Sequence, residues 1–352
     1  MLVHICCSVD SHYFLQQIQK EYPNEEIIGF FYDPNIHPYS EYKLRLYDVQ
    51  HSCNLLGIEL IEGDYDIESW LKIVKGLEQE PEKGDRCTVC FDRRLSVSVQ
   101  KAKELGHTSF TTTLLISPKK SQDKLEIIGD KLSAQYGLEF IFKDYRAKNG
   151  VELQGIEVKK NQLYRQNYCG CMYGLLPQRE YQDRLADELM CPIGKQILPN
   201  SIEYRIELYK KRDEVDGVIR KQKFLNYRLL SAKVTIEKQA IPSYFLFYST
   251  VNNSKAKGKI EKTINNVGYF NKDEIKIVSI DYFNTLVNKE YKNTVELIYN
   301  PLSIDDELKV RELIVHDSYN LSAIIILDYI PTQKVEILCN SKIYSDTKEV
   351  LL

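Results

Sequence analysis

A chain of 352 residues, 43% of them hydrophobic, is long enough to build two cores. Its net charge of -3 excludes indiscriminate nucleic-acid binding but leaves room for a local basic face. No apolar run reaches membrane-spanning length, and Met1 to Ile5 runs into Cys6 without a basic flank, so a cytoplasmic protein with reduced thiols and no membrane contact is expected.

Leu2 to Cys6 reads as a strand, and Asp10 to Tyr22 as a helix with Phe14, Leu15 and Ile18 at helical spacing before Pro23. A second strand, Ile27 to Tyr32, ends at the turn signal Asp33-Pro34-Asn35. Ser40 is placed to cap a helix that closes at Gly57, and Ile58 to Ile61 is the next strand. Beyond Trp70 the alternation continues: a helix from Arg94 to Leu105, a Thr-rich strand from Ser109 to Leu115, a helix from Asp123 to Tyr136 and a strand from Glu139 to Phe142. Such alternation implies right-handed crossovers and an α/β, Rossmann-like, mostly parallel sheet with helices on both faces. Residues 1–195 are assigned to this α/β domain.

From about residue 200 the texture changes to runs rich in Ile, Tyr and Val: Leu229 to Ile236, Tyr244 to Tyr248, Ile275 to Phe283, Val295 to Tyr299 and Ala323 to Leu327. Residues 200–352 are read as a β-rich C-terminal domain with no chemical motif of its own. Cys191 and Cys339 are unpaired in sequence and read as ordinary cysteines.

Six of the nine cysteines form three close pairs: Cys6-Cys7, Cys87-x-x-Cys90 and Cys169-Gly170-Cys171. In reduced surroundings such pairs point to metal or redox chemistry. One tetrahedral zinc takes four ligands, so six thiols overshoot a single structural zinc, whereas an iron-sulfur cluster with a second metal or a redox step uses the whole set. Cys6-Cys7 lies at a strand end, where ligands bind in parallel sheets, and before a helix whose dipole favours thiolates. Successive side chains in extended backbone point apart, so Cys6 and Cys7 are expected to serve different centres. Asp10 is either a hard oxygen ligand beside them or a helix cap. The Cys87 and Cys169 pairs are placed in loops over the same crevice.

Neither a GxGxxG fingerprint nor a GxxxxGK[ST] loop is present. Cys6-Cys7-Ser8-Val9-Asp10-Ser11 stands where ATP-pyrophosphatases of the HUP and PP-loop type carry SGGxDS, but two cysteines replace the small residues that admit a phosphate. The six histidines, His4, His12, His37, His51, His107 and His316, make no metal-spaced pair.

Five segments, in order, resemble the epoxyqueuosine reductase family of the QueH type. They are His4-Ile5-Cys6-Cys7 with Asp10; Phe30-Phe31-Tyr32-Asp33-Pro34-Asn35-Ile36-His37-Pro38 with Glu41-Tyr42; and Arg86-Cys87-Thr88-Val89-Cys90-Phe91 with Arg93-Arg94-Leu95. Phe110-Thr111-Thr112-Thr113-Leu114-Leu115-Ile116-Ser117-Pro118 and Tyr164-Arg165-Gln166-Asn167-Tyr168-Cys169-Gly170-Cys171 complete the set. The resemblance covers about residues 1–176. Where family members often carry a small residue and a proline after the paired cysteines, this chain has Ser8-Val9.

The resemblance implies an enzyme that reduces the epoxide of epoxyqueuosine, at the wobble position of tRNA, to queuosine without cobalamin. It implies a [4Fe-4S] cluster beside a second iron, with Cys6, Cys7, Asp10, Cys87, Cys90, Cys169 and Cys171 as the ligand set, and an unidentified electron donor. Tyr32, Asp33, His37 and Tyr168 are candidate proton donors beside the catalytic Asp10. Tyr39, Tyr164 and Arg165 are candidates to hold the splayed base, and the clusters Lys159-Lys160, Lys210-Lys211-Arg212 and Arg220-Lys221 to contact phosphates. The rival readings are an iron-sulfur, ATP-dependent tRNA thiolation enzyme, a zinc-binding RNA module without catalysis, and a thiol oxidoreductase built on Cys87 and Cys90.

Overall fold

Short, almost wholly apolar segments form the centre of the first unit. In the computed structural model, which describes residues 1–352, β1 (Leu2–Ile5) and β2 (Ile28–Phe31) are buried throughout, the mark of strands covered on both faces. With β3 (Glu59–Glu62), β4 (Ser109–Thr112) and β5 (Glu139–Phe140) they make a parallel sheet in the order β3-β2-β1-β4-β5. Leu2 lies opposite Ile28 on one side and Phe110 on the other. The strand order therefore reverses at β1, which opens a crevice beyond the carboxyl ends of β1 and β4.

The crossovers supply two helical layers. α1 (Ser8–Glu21) packs against α2 (Tyr39–Leu56) and α6 (Gly150–Lys160), while α4 (Asp85–Glu104) packs against α5 (Gln122–Tyr136). The short α3 (Ile67–Ile73) and α7 (Met172–Tyr181) complete this part of the chain. α2 closes at Gly57, whose φ of 66° lies in the left-handed region open to glycine. The unit comprises Met1–Leu189 and Arg205–Ile219, so most of α8 (Ile202–Glu214) belongs to it.

The second unit, Met190–Tyr204 with Arg220–Leu352, carries two sheets. One has the order β10-β11-β12-β13-β8 and is mixed, from β8 (Tyr244–Phe245), β10 (Lys262–Ile264), β11 (Val267–Phe270), β12 (Ile275–Ser279) and β13 (Ala323–Leu327). The other, β7-β6-β14-β9, is built on two long strands, β6 (Ile219–Ile236) and β14 (Val335–Leu351), flanked by β7 (Gln239–Ile241) and β9 (Lys255–Gly258).

Three readings of the sequence differ from the structure. Cys87 and Cys90 lie in the first turns of α4, which starts at Asp85 rather than Arg94. The Thr-rich strand stops at Thr112, whose hydroxyl accepts the N–H of Leu114 and turns the chain into a 3-10 helix over Thr113–Leu115. In the second unit Val295 to Tyr299 is helical, within α10 (Thr294–Tyr299), and β12 gives way at Ser279 to α9 (Ile280–Val287); α11 (Ile304–Val315) follows. Ser279 and Asn293 accept backbone N–H groups as caps, and those caps override the strand propensity of the β-branched residues behind them.

Candidate metal centres

The turn from β1 into α1 gathers the first group. The chain bends at Cys6, and Cys7 is extended at the helix N-cap (φ -169°). Both thiols consequently face one side, with their sulfurs 3.7 Å apart, contrary to the expectation that neighbouring side chains diverge. Asp10, in the first turn of α1, brings Oδ2 within 3.9 Å of Cys6 Sγ, and the three ligand atoms all lie within 4.8 Å of one another. Two thiolates on one tetrahedral metal at about 2.3 Å stand roughly 3.8 Å apart, so this spacing suits a shared ion.

The group is buried and expensive without a cation. The Cys7 thiol is pushed well above its usual range by its contact with Cys6 and by burial, and burial raises the Asp10 carboxyl. Gln154, from α6, opposes the rise by donating from Nε2 to Asp10 Oδ1 (3.0 Å) and to the Val9 carbonyl (2.9 Å). A bound cation favours the ionised forms of all three.

The second group has four thiols. Cys87 and Cys90, three residues apart on α4, share a face, and they line one cleft with Cys169 and Cys171. Asn35, Trp70, Phe91 and the cations Arg86, Arg94 and Lys120 complete that cleft. All four cysteines are free thiols. Cys169 is held well below the ordinary thiol range by its hydrogen bond with Cys171 and by Lys120, while burial pushes Cys90 up against the pull of Arg94. Four soft donors with three cations facing them are a donor set for zinc or for an iron-sulfur cluster.

The Cys169 loop is fixed from beneath. Gly170 (φ 100°) turns it, and its carbonyl accepts the His37 N–H at 2.8 Å. Arg45, buried in α2, donates to the carbonyls of Cys169 (3.2 Å) and Tyr168 (3.0 Å), and its Nε pairs with Glu41 at 2.7 Å. Tyr164 donates to the other Glu41 oxygen at 2.9 Å.

The remaining candidates divide by exposure. Tyr32 is buried, donating to Asp66 (2.8 Å) and accepting from Arg93 Nε (3.1 Å). Asp33 is buried against Arg94, and burial lifts its carboxyl to about 6. Tyr168 gives its hydroxyl to the His37 carbonyl at 2.6 Å, and burial lowers the imidazole pKa of His37. Tyr39 is 52% exposed and Arg165 is exposed, whereas Tyr164 is 2% exposed and offers no face to a base. Arg212 does not reach for phosphate either: its guanidinium is buried in pairs with Asp48 (2.6 Å) and Asp213 (2.7 Å). The sequence reading missed the cations. Arg94 stands four residues after Cys90, a spacing that signals a helical neighbour; Lys120, brought in from the segment before α5, left no such signal.

The family model for epoxyqueuosine reductase QueH matches residues 1–177. A relative of that name from Helicobacter pylori (strain ATCC 700392 / 26695) is 42% identical over 351 residues, covering 93% of this chain and 94% of the relative. The chain belongs to the epoxyqueuosine reductase QueH family. The QueH protein of Thermotoga maritima is 36% identical over 184 residues, 51% of this chain but 92% of its own length, so it has no counterpart for nearly half of this chain. The QueH protein of Streptococcus pyogenes serotype M1 is 35% identical over 179 residues, 49% of this chain and 69% of its own. Among solved structures, the U34-tRNA thiolase NcsA from Methanococcus maripaludis, described with its [4Fe-4S] cluster, is 13% identical with a TM-score of 0.33 over 62% of this chain and 74% of its own; a likeness that slight carries no argument. No helix of this QueH chain is long and apolar enough to cross a membrane.

Proposed function

We propose that this chain reduces the epoxide of epoxyqueuosine in the wobble position of tRNA to the cyclopentene of queuosine, in the cytoplasm and without cobalamin. The observation that carries the reading is the presence of a four-thiol cleft and a Cys6-Cys7-Asp10 cluster within one QueH-family unit. Cys87, Cys90, Cys169 and Cys171 would hold a [4Fe-4S] cluster, and Cys6, Cys7 and Asp10 a second iron. When bound, these groups supply electrons singly and a Lewis acid for the departing oxygen.

The net reaction takes two electrons and two protons and releases the epoxide oxygen as water. The chain's residues serve the protons and the substrate. Asp33, whose carboxyl burial lifts to about 6, and His37, whose imidazole burial lowers, are the two candidate acids that titrate on the acidic side of neutrality; the Tyr32 phenol is raised by burial and its bond to Asp66, and that of Tyr168 by burial and Glu41. Tyr39 and Arg165 present exposed planar groups suited to a base drawn out of an anticodon loop. The electron donor is a separate redox protein or small reductant.

Anaerobic purification with iron, sulfide and zinc analysis tests the reading, followed by digestion of treated epoxyqueuosine tRNA and mass analysis of the nucleosides. About five irons and four sulfides per chain are expected, with conversion to queuosine that fails in Cys7→Ser. Zinc alone, with no conversion, would replace the reductase by a zinc-binding RNA module.

A further inference from the structure

Half of this chain lies outside the family model, and its charge is unevenly distributed. Between Arg220 and Lys262 stand ten Lys and Arg against two Glu, whereas from Asp281 to Asp328 nine acidic residues face four basic ones. β6 itself carries five cations and no carboxylate. Its residues before Val234 are paired in the sheet with β14 alone, since β7 joins only at Val234–Ile236. Arg220, Lys221, Gln222 and Lys223 are all exposed, although successive residues of a strand point to opposite faces. This end of the ribbon is therefore open to solvent on both sides.

The cations there are uncommitted. No carboxylate pairs with Arg220, Lys221 or Lys223, whereas Arg228 on the same strand is buried and spends its guanidinium on the carbonyls of Tyr227 (2.8 Å) and Pro199 (3.0 Å). Lys348 of β14 lies over the Phe224 ring at 5.6 Å and adds a fourth cation. Of the nearby β14 carboxylates, Asp346 accepts from Asn200 (3.2 Å) and Asn226 (3.1 Å); Glu349 is the other. The run begins one residue beyond Ile219, whose N–H is held by Gln162 of the first unit at 2.6 Å. Exposed cations that fold gains nothing from, on a chain of net charge -3, are suited to a polyanion.

We propose that Arg220, Lys221 and Lys223, at the start of β6, form an arm that grips the sugar-phosphate backbone of tRNA. The proposal rests on tRNA being the substrate. A membrane is the less suitable partner, because the one aromatic group of the stretch, Phe224, is covered by Lys348 and leaves no apolar face to insert.

The test uses the full chain and a tRNA transcript, with binding measured over a series of KCl concentrations. In R220Q/K221Q/K223Q, affinity near physiological salt should fall roughly tenfold or more, and the slope of log K against log salt should become shallower by about 2 to 3. Its visible spectrum and kcat at saturating tRNA should match wild type, with the loss in KM. K255Q/K257Q/K259Q, which removes as many cations from the β9 region, should bind nearly as wild type does. Unchanged affinity and slope in the β6 variant would overturn the arm, as would an equal loss in the β9 variant. Lost binding to phosphatidylglycerol vesicles with tRNA binding intact would overturn it in favour of a membrane surface. A β6 variant that loses salt-dependent tRNA binding, with wild type leaving epoxyqueuosine untouched, would sink the proposed reaction and keep the arm; wild type that reduces the epoxide, with affinity and slope unchanged in the β6 variant, would do the reverse.

Discussion

Arg45 shows how one residue can matter to a metal site without touching it. Its guanidinium neutralises Glu41 and holds two carbonyls of the Cys169 loop, all out of water. Removing one partner of a buried pair leaves the other charge stranded, at about 3–5 kcal/mol. Arg45→Met should lose stability of that order in urea and bind less iron, whereas E41L/R45M should recover most of the stability, because no charge is left behind, and still bind less iron. Iron content that recovers together with stability would make Arg45 a plain packing residue. Asp33 gives a pH signature. Its folded carboxyl sits near 6 because burial outweighs Arg94 and Arg45, against an unfolded value near 3.9. The folded state thus binds this proton more tightly, so the contribution is complete below about pH 4 and is lost as pH rises through 6, on the order of 2–3 kcal/mol. The wild-type unfolding free energy minus that of Asp33→Asn should fall across that window and run flat above pH 7. A difference that rises with pH would mean that the Arg94 pairing outweighs desolvation.

At the scale of elements, what could be read from the sequence followed periodicity. β1, β2, α1 and the closure of α2 at Gly57 were legible because apolar spacing and a left-handed glycine leave local marks. The start of α4 was not, since Cys87-x-x-Cys90 suggests a loop clip as readily as a helical face, and nothing before Asp85 caps by side chain. The convergence of Cys6, Cys7 and Asp10 was half legible: their sequence placed them at a strand end, but the bend at Cys6 that aligns the two sulfurs is a backbone event no spacing rule announces. α8 was read as a basic surface, and Arg212 proved to be buried, because its partner Asp48 stands 164 residues away on α2. Long-range charge pairing of this kind leaves no trace in local composition.

The division of the whole molecule follows from that same pair. Asp48 accepts from Arg212, from the Tyr164 N–H (2.8 Å) and from Ser8, which directly follows Cys7, so a helix beyond the matched family region supports the turn that carries the first thiol pair. Gln162 ties the end of that segment down by donating to the Gly217 carbonyl (3.1 Å) and accepting the Ile219 N–H. A chain ended after Ile219 keeps these bonds; one ended after Leu189 leaves Asp48 buried without its cation. The longer piece should melt as a cooperative unit and take up iron at both thiol groups, since all seven proposed ligands lie within it. The shorter one should lose about 3–5 kcal/mol and accumulate poorly, and in it Asp48→Asn should recover stability by removing the stranded charge, a gain that the same substitution would not bring to the longer piece. Equal melting temperatures for the two pieces would show that α8 merely rests on the first unit, and the chemistry would then need nothing beyond the matched region.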